Sequence, residues 1–289
     1  MPQPESDLAA VSRAWIRRCR PGAAHEPGAP AVLVSDLAVS YNGRSALRDV
    51  TFEVPSGCSV AVAGPNGAGK STLLRVLAGL LPPSHGHVEV HGHGPCRHVC
   101  IAYVPQRSAV DWRFPVTVWD AVMMARGRRR VLHRRSMRRD RQVVRESLES
   151  VGLLPRGADR IEQLSGGQQQ RMFIARALSQ EAQLVLLDEP FAALDLQSKE
   201  EVLTLLEQPP LCRLTRIVAL HDLGIAATRF DSIVLLHRTL VAYGTPEEVL
   251  TPMALQRAYG SCLRVVEGDG GTVVVSDSAC GGGVDHDPD

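Results

Sequence analysis

The chain has 289 residues, of which 44% are hydrophobic and 22% charged, and its formal net charge is +1. This size and apolar content allow one large or two small packed domains and exclude a fibrous or wholly disordered chain. The net charge gives no general attraction to nucleic acid, and no apolar run approaches the roughly 18 residues of a membrane-crossing helix. Seven scattered cysteines favour a reducing compartment over a disulfide framework, so we expect a cytoplasmic chain.

Residues 1–30 are rich in Pro, Ala, Gly and Arg and show little periodicity, which predicts a flexible N-terminal extension. Ordered structure is expected from Ala31 onwards. Apolar residues then alternate on both sides of Asn42-Gly43, a strong hairpin signal, and this predicts an antiparallel sheet that ends near Val54. Tyr41 lies in this sheet, and strand propensity alone would explain an aromatic residue there.

The next segment matches a nucleotide-binding pattern. The phosphate-loop pattern of Gly, four residues and Gly-Lys-Ser/Thr is met by Gly64-Pro65-Asn66-Gly67-Ala68-Gly69-Lys70-Ser71-Thr72. An apolar run at Ser59–Ala63 predicts a buried strand before it, and Leu73–Leu80 predicts a helix after it. The glycines let backbone N–H groups approach phosphates, Lys70 can reach the β- and γ-phosphates, and Ser71 can place its hydroxyl on Mg²⁺. We therefore expect the chain to bind a nucleoside triphosphate.

Histidines and cysteines are concentrated between positions 85 and 100. They lack the Cys-x2-Cys spacing of structural zinc sites, and strand alternation predicts that His87 and His91 lie on a solvent-exposed face. A solvated polar turn is the simpler interpretation, and a metal site that includes Cys96 or Cys100 is the alternative.

Arginines are concentrated in a later segment. A buried strand is predicted at Val99–Val104, ending at Pro105-Gln106, and a helical pattern runs from Val116 to about Val151. Arginines crowd positions 126–141 of this pattern. A solvated helical face is the simpler interpretation, and contact with anionic lipid headgroups or an acidic partner is the alternative.

The remaining pattern is that of an α/β protein. Short apolar runs at 184–187, 217–220 and 233–236 alternate with helical stretches, which predicts a largely parallel sheet with helices on both faces. A late hairpin is predicted around Gly268–Gly271.

Two further motifs carry chemistry. The apolar run Leu184–Leu187 ends in Asp188 and Glu189, two carboxylates that beside a phosphate loop can hold the Mg²⁺ shell and orient a water against the γ-phosphate. A second anion-binding helix start is predicted at Ser165-Gly166-Gly167-Gln168.

In their order along the chain, these motifs resemble those of the nucleotide-binding subunit of ABC transporters, from about Val32 to Leu250. The matching elements are Walker A at Gly64 to Thr72, the Q-loop at Gln106, the signature at Leu164-Ser165-Gly166-Gly167-Gln168, Walker B at Leu184 to Glu189, the D-loop at Ala193-Leu194-Asp195 and the switch histidine at His221.

The resemblance implies an α/β fold, a P-loop NTPase cassette with a RecA-like core, an N-terminal antiparallel β subdomain and an α-helical signature subdomain. We expect the ATPase domain at residues 31–255, its helical subdomain at about 110–170, and a mostly flexible C-terminal extension at 256–289.

The resemblance also implies ATP and Mg²⁺ as cofactors and assigns residue roles. Glu189, His221, Lys70 and Gln106 would be catalytic, and Ser71, Gln106 and Asp188 would hold the Mg²⁺ of Mg-ATP. The nucleotide would also contact Tyr41, which would stack on the adenine, the phosphate loop from Gly64 to Thr72, Asp195 and, across a dimer of two cassettes, the signature residues Ser165, Gly166, Gly167 and Gln168.

The implied partners are a second copy of the cassette, integral membrane permease subunits and, indirectly, an extracytoplasmic solute-binding protein, with no nucleic acid. The implied location is the cytoplasmic face of the cell membrane. The segment from Tyr103 to Val118 resembles importers of manganese, zinc or ferrous iron, in which a Gln-Arg pair precedes Asp-Trp-x-Phe-Pro-[IV]-Thr-Val.

Three alternatives remain open from the sequence. Importers of siderophores or cobalamin are the nearest rivals on cargo. A soluble nucleotide-gated clamp on the ribosome or DNA is a rival of another class, although this chain has one cassette and no sustained heptads. An inactive cassette conflicts with the presence of Lys70, Asp188, Glu189 and His221.

Overall fold

The computed structural model describes residues 28–41, 43–95, 100–126, 134–260, 263–268 and 271–276. Most of the predicted N-terminal extension, the tail after Ser276 and the side chains of Cys96 and His98 lie outside the described residues. Within the described ranges, no helix is both long and apolar enough to cross a bilayer.

The described elements alternate between strands and helices. The strands are β1 (Val32–Tyr41), β2 (Arg44–Val54), β3 (Ser59–Ala63), β4 (His85–Val90), β5 (Ile101–Val104), β6 (Leu184–Asp188), β7 (Thr215–Ala219), β8 (Ser232–Leu236), β9 (Leu240–Gly244), β10 (Leu263–Gly268) and β11 (Gly271–Ser276). The α-helices are α1 (Lys70–Leu77), α2 (Val118–Met124), α3 (Arg134–Ser150), α4 (Gly166–Ser179), α5 (Leu196–Glu207), α6 (Leu223–Arg229), α7 (Pro246–Val249) and α8 (Pro252–Tyr259).

The N-terminal strands form the predicted antiparallel sheet. Its strand order is β2-β1-β4, and the register of the β1–β2 pair places Val32 opposite Val54 and Tyr41 opposite Arg44. One face is apolar because alternate residues of β1, among them Val32 and Val34, are buried. The hairpin signal at Asn42-Gly43 is confirmed by the pairing of the strands that flank it.

The central sheet has the strand order β5-β6-β7-β3-β8-β9. The first five strands pair in parallel, and β9 pairs antiparallel at the edge. Every residue of β3, β6 and β7 is buried, as expected for parallel strands covered on both faces. The predicted α/β class, with a parallel sheet and a separate antiparallel sheet, is confirmed.

The hydrophobic core has two layers, one on each face of the central sheet. Successive residues of β3 alternate between them: Ala61 and Ala63 belong to one layer, and Val60 and Val62 belong to the other. The first layer includes side chains from α2 to α6 and from α8, and the second includes α1 and the antiparallel sheet. Helix α1, which starts at the phosphate loop, is therefore held between the two sheets.

The helices between β5 and β6 pack as the predicted helical subdomain, with α2, α3 and α4 in mutual contact. The arginine-rich segment is not uniformly a solvated face. Arg126 is 3% exposed and forms ion pairs with Asp140 at 2.9 Å and Glu181 at 2.7 Å. Since a charge this deeply buried needs partners, Arg126 ties α2 to α3 and to the end of α4. Arg138 and Arg141 are exposed, as predicted.

Several local expectations are corrected by the structure. The prediction that His91 lies on an exposed strand face is wrong: β4 ends at Val90, and His91 turns into the left-handed region at φ 51° and is 7% exposed. Helix α8 crosses the expected boundary between residues 255 and 256, because Leu255 and Ala258 are buried in the core. The late hairpin is confirmed, with Gly268 paired to Gly271.

Candidate functional site

The loop between β3 and α1 has a backbone that only glycine accommodates at two positions. Gly64 has φ +149° and Gly69 has φ +98°, which side chains rarely adopt. A Cβ atom at Gly64 would collide with the carbonyl oxygen of Leu236, and one at Gly69 would lie 2.8 Å from the carbonyl oxygen of Ala46. The two glycines thus let the loop pass close to neighbouring backbone.

Lys70 is the first residue of α1 and is 5% exposed. Its Nζ donates to the carbonyl oxygens of Gly64 at 2.7 Å and Pro65 at 2.9 Å, and lies 3.2 Å from Nδ1 of His221. Burial lowers the pKa of Lys70 to about 8, although Glu189 and Asp188 act in the opposite direction. Because the nearby carboxylates do not offset the cost of burying the Lys70 ammonium, an anionic phosphate group would be a favourable partner for it.

Asp188, at the end of β6, is 1% exposed and has both carboxylate oxygens occupied. Its Oδ1 accepts a hydrogen bond from Ser71 Oγ at 2.8 Å, and its Oδ2 accepts one from Tyr103 OH at 3.0 Å. The hydroxyl and the carboxylate meet where the phosphate loop joins the sheet. They are hard oxygen donors of the kind that Mg²⁺ prefers beside phosphate oxygens, so this donor set fits Mg²⁺.

Glu189 directly follows β6 and is held on both oxygens. Gln106 Nε2 donates to Oε2 at 2.8 Å, and His221 Nε2 lies 2.5 Å from Oε1. Since the Lys70 ammonium has only hydrogens to offer, His221 Nδ1 accepts from it and Nε2 carries the hydrogen that faces Glu189. The Glu189 backbone lies in the left-handed region at φ 48°, a strained conformation that is characteristic of functional positions.

A cavity of about 150 Å³ borders this carboxylate. It is lined by Glu189, His221 and the Lys199–Asp222 ion pair, whose atoms are 2.9 Å apart, together with apolar side chains. A larger groove of about 490 Å³ lies between the end of α3 and α5, and none of the residues that line it is a predicted site residue.

The second predicted anion site begins α4. Ser165 is the N-cap and forms a reciprocal box with Gln168: its hydroxyl accepts from the Gln168 amide, and Gln168 Oε1 accepts from the Ser165 amide at 2.9 Å. Two arginines hold this helix start. Arg156 donates to Gln168 Oε1 at 2.5 Å, and Arg107 Nε donates to Gln169 Oε1 at 2.7 Å.

Gly166 and Gly167 allow close packing at this helix start. A Cβ atom at Gly166 would lie 2.8 Å from an Arg107 nitrogen, and one at Gly167 would lie 2.6 Å from Ser198 Oγ. Helix geometry leaves the first N–H groups of α4 without carbonyl partners in the helix, so this end offers donors to an anion.

The remaining predicted site residues lie around these two centres. Asp195 caps α5 through the Ser198 amide at 2.9 Å, and this backbone hydrogen bond holds the pKa of Asp195 below its usual range. Tyr41 ends β1 and is 41% exposed, so its ring face is available for stacking. The structure brings Lys70, Gln106, Glu189 and His221 into one hydrogen-bonded set. Ser71 and Asp188 belong to a second set, which also includes Tyr103. Among the described residues, no hydrogen bond joins either set to Ser165–Gln168.

Sequence reasoning missed four side chains of the site, namely Tyr103, Arg107, Arg156 and Arg75, the last of which forms a side-chain hydrogen bond with Tyr103. A signal existed for Tyr103, because β5 was predicted as a buried strand and β6 is its neighbour in the sheet. For Arg107 and Arg156, the contacts depend on how the helical subdomain packs, which local sequence patterns do not contain.

A phosphate loop before α1, paired carboxylates at the end of β6 in the same sheet and a histidine after β7 define a P-loop nucleoside triphosphatase. Residues 47–192 match the family model described as ABC transporter. The chain belongs to the ABC transporter family, as an ATP-binding cassette that binds and hydrolyses ATP.

Similar proteins extend the match over most of the chain. The manganese transport system ATP-binding protein MntB of Bacillus subtilis is 40% identical over 82% of this chain and 95% of its own length. The zinc transport system ATP-binding protein TroB of Treponema pallidum is 43% identical over 80% of this chain and 87% of its own. The chelated iron transport system membrane protein YfeB of Yersinia pestis is 39% identical over 81% of each chain.

Solved structures agree on the fold. A chain from a metal-chelate type ABC transporter in an inward-facing conformation superposes with a TM-score of 0.71, at 27% identity, and covers 85% of this chain and 96% of that one. A nucleotide-free ATP-binding cassette superposes with a TM-score of 0.69 at 19% identity, over 79% of this chain and 98% of that one.

Proposed function

We propose that this cassette hydrolyses ATP to drive the import of a transition-metal ion, namely manganese, zinc or iron, through a separate membrane permease. One observation carries the proposal. Relatives that are 39–43% identical over about 80% of the chain are named for transport of manganese, zinc and chelated iron. The metal in this proposal is the cargo and does not bind at the nucleotide site.

The site residues divide the work of binding ATP. Tyr41 stacks on the adenine, and the loop from Gly64 to Thr72 surrounds the phosphates with N–H groups. Lys70 exchanges its carbonyl partners for the β- and γ-phosphates. The phosphates are negatively charged and the carbonyls are neutral, so the phosphates pair better with the buried ammonium. Ser71 and Asp188 would hold Mg²⁺, and Gln106 would contribute to the same site. When bound, Mg²⁺ neutralises charge on the β- and γ-phosphates.

Hydrolysis uses the carboxylate after β6. Glu189 orients a water against the γ-phosphate and accepts its proton. Gln106 and His221 hold one oxygen each of this carboxylate, which keeps it in a single orientation. His221 also contacts Lys70, so it links the residue that holds the γ-phosphate to the residue that orients the water.

The helix start at Ser165–Gln168 serves a second copy of the cassette. Two cassettes pair head to tail, and the signature of one closes over the ATP held by the phosphate loop of the other. Asp195 lies at this interface. Hydrolysis and release of the γ-phosphate remove contacts that hold the dimer closed, so the dimer reopens.

The cassette works at the cytoplasmic face of the membrane, as a peripheral subunit. Gln106 and the helical subdomain after it relay dimer opening to the permease, and an extracytoplasmic solute-binding protein delivers the cargo to that permease. The proposal includes no nucleic-acid partner, because the partners it names are a second cassette and the permease subunits.

A second candidate cargo is a metal chelate of the siderophore or cobalamin type. It is supported by the superposition on a chain from a metal-chelate type transporter, at 27% identity. The chelated iron transport protein YfeB, at 39% identity, supports the same candidate. Because the relatives named for manganese and zinc transport are 40% and 43% identical, we favour the free ion.

The test is the metal content of the source organism. Cells that carry Glu189→Gln in place of the native gene are compared with wild type in metal-poor medium, and total manganese, zinc and iron are measured. We expect a selective fall in one metal that is reversed when that metal is supplied. Unchanged levels of all three, in cells without a redundant importer, would contradict the proposed cargo and leave the ATPase activity standing.

A further inference from the structure

The two carboxylates after β6 are each held by a residue of the segment that begins at β5. Glu189 accepts from Gln106, and Asp188 accepts from Tyr103. Tyr103 pairs with Leu186 across the parallel strands, and Leu186 and Asp188 share a face because they are two residues apart in β6. The phenol of Tyr103 therefore reaches the same carboxylate as Ser71: Tyr103 donates to Oδ2 of Asp188, and Ser71 donates to Oδ1.

We propose that Tyr103 is a positioning residue for Asp188: its hydroxyl fixes one carboxylate oxygen so that the other faces Ser71 at the Mg²⁺ site. The inference rests on the proposed function, in which Ser71 and Asp188 hold the metal of Mg-ATP. Asp188 is 1% exposed, so water cannot replace a lost partner at low cost.

Arg75 fixes the direction of this hydrogen bond. Its guanidinium forms a side-chain hydrogen bond with Tyr103, and a guanidinium can only donate. The Tyr103 oxygen therefore accepts from Arg75, and its single hydrogen is directed to Asp188. Arg75 lies in the last turn of α1, so this relay joins the helix that starts at the phosphate loop to β5 and β6.

The substitution Tyr103→Phe removes one oxygen and leaves the ring. Tyr243→Phe is the matched control, because Tyr243 donates to the carbonyl of Glu53 at 2.6 Å, away from the described residues of the site. The probe is Mn²⁺, titrated into the purified chain with a non-hydrolysable ATP analogue and followed by electron paramagnetic resonance. Binding of the same analogue in EDTA is measured in parallel.

We expect Tyr103→Phe to weaken Mn²⁺ binding about tenfold, as is typical when a partner of a metal ligand is lost. Binding of the analogue in EDTA should change less than about twofold, since the phenol touches no phosphate-binding group. Tyr243→Phe should leave both values at those of wild type. Arg75→Gln, a second variant, should weaken Mn²⁺ binding in the same direction but less, because the phenol keeps its hydrogen.

Asp188→Asn separates this inference from the proposed function. If Asp188→Asn weakens Mn²⁺ binding and a folded Tyr103→Phe binds it as wild type does, Tyr103 does not position the carboxylate and the inference fails alone. If Asp188→Asn itself binds Mn²⁺ as wild type does, the proposed role of Asp188 fails, and the inference fails with it. An equal loss of analogue binding in EDTA in Tyr103→Phe would also overturn the inference, because it would indicate a general structural defect.

Discussion

Two helix N-termini carry the anion-binding chemistry of this chain, and they differ in what surrounds them. At the start of α1, Lys70 is 5% exposed and is connected through His221 to the carboxylate of Glu189. At the start of α4, Ser165 is exposed, and its side chain is used in the helix cap. The first end combines the Lys70 cation with the oxygens of Ser71 and Asp188 and the carboxylate of Glu189. The second end has helix N–H groups and supporting arginines, one of which, Arg156, is itself paired with Asp159.

The difference indicates which site can bind ATP alone and which needs another molecule. In the proposed function, the α1 site supplies groups for each part of Mg-ATP hydrolysis, whereas the α4 site supplies only anion contacts. A second copy that brings its own nucleotide would complete the α4 site. Four substitutions test this contrast.

The largest effect is expected from Glu189→Gln, which damages the α1 site only. The amide cannot accept a proton from the attacking water, so kcat should fall by roughly 10²–10⁴-fold. ATP binding should be unchanged, because the phosphate loop is intact. Steady-state turnover and equilibrium binding of ATP are the measurements, and turnover at the wild-type rate would remove Glu189 from its proposed role.

The next effect is expected from Ser165→Arg, which blocks the α4 site. The bulky cation occupies the end of the helix that a neighbouring γ-phosphate would approach, so kcat should fall by about 10²-fold, as for loss of a transition-state anion contact. ATP affinity of the separated chain should stay at the wild-type value. Weakened binding in dilute protein would mean that this helix start contacts nucleotide within one chain.

Lys70→Met should weaken ATP binding by about tenfold or more, because the phosphates lose their nearest cation. Lys199→Met is the matched control: Lys199 is the other lysine of the chain and pairs with Asp222 near the surface. That control should bind ATP as wild type does. Equal loss in both variants would indicate a nonspecific charge effect.

Lys70→Met weakens ATP binding, but without nucleotide it should stabilise the folded chain. The pKa of Lys70 is lowered to about 8 by burial, so the folded chain binds this proton less readily than the unfolded chain. Below pH 8 the charged lysine therefore costs stability, and Lys70→Met should raise the free energy of unfolding by up to about 3 kcal/mol at pH 7.

As pH rises from 8 towards 10.5, the unfolded chain retains the proton that the folded chain has lost, so wild type gains stability relative to Lys70→Met. The difference in free energy of unfolding between Lys70→Met and wild type should thus decrease. Denaturant titration of both proteins at each pH measures this difference. A difference that is constant from pH 7 to about 9.5 would contradict the lowered pKa.

The smallest effect is expected from Ser165→Ala. Loss of the helix cap should lower the free energy of unfolding by about 1 kcal/mol. The α1 site should keep its ATP affinity, and urea titration and ATP binding would check the two halves of this prediction. A large loss of ATP affinity would show that the two helix starts are not independent.

The same contrast explains what the sequence predicted. The sequence names most of the residues that the structure brings together near the start of α1. Gly64 to Thr72 are contiguous, and the two carboxylates follow an apolar run that predicts a buried strand. The hydrogen bond from Gln106 to Glu189 spans 83 positions, yet both ends follow predicted strands that pair in one sheet. Local sequence patterns therefore suffice to predict a contact when both residues follow strands of the same sheet.

The rest depends on packing that no local pattern describes. Arg107 was read only as part of a family motif, although it contacts the start of α4. The sequence pattern places Arg126 on a solvated face, although the residue is buried and forms ion pairs with Asp140 and Glu181. His91 was placed by strand alternation, which failed because the strand ends one residue earlier. Each depends on how helices or turns meet in space.

The most direct test of the contrast measures the mass of the Glu189→Gln chain in solution with Mg-ATP, by light scattering after size-exclusion chromatography. We predict a dimer with ATP and a monomer without it, because each α4 start closes over nucleotide held by the other copy. Adding Ser165→Arg should restore the monomer while ATP remains bound. If the doubly substituted chain still dimerises with ATP, the start of α4 does not bind the nucleotide of a second copy, and the central claim is wrong.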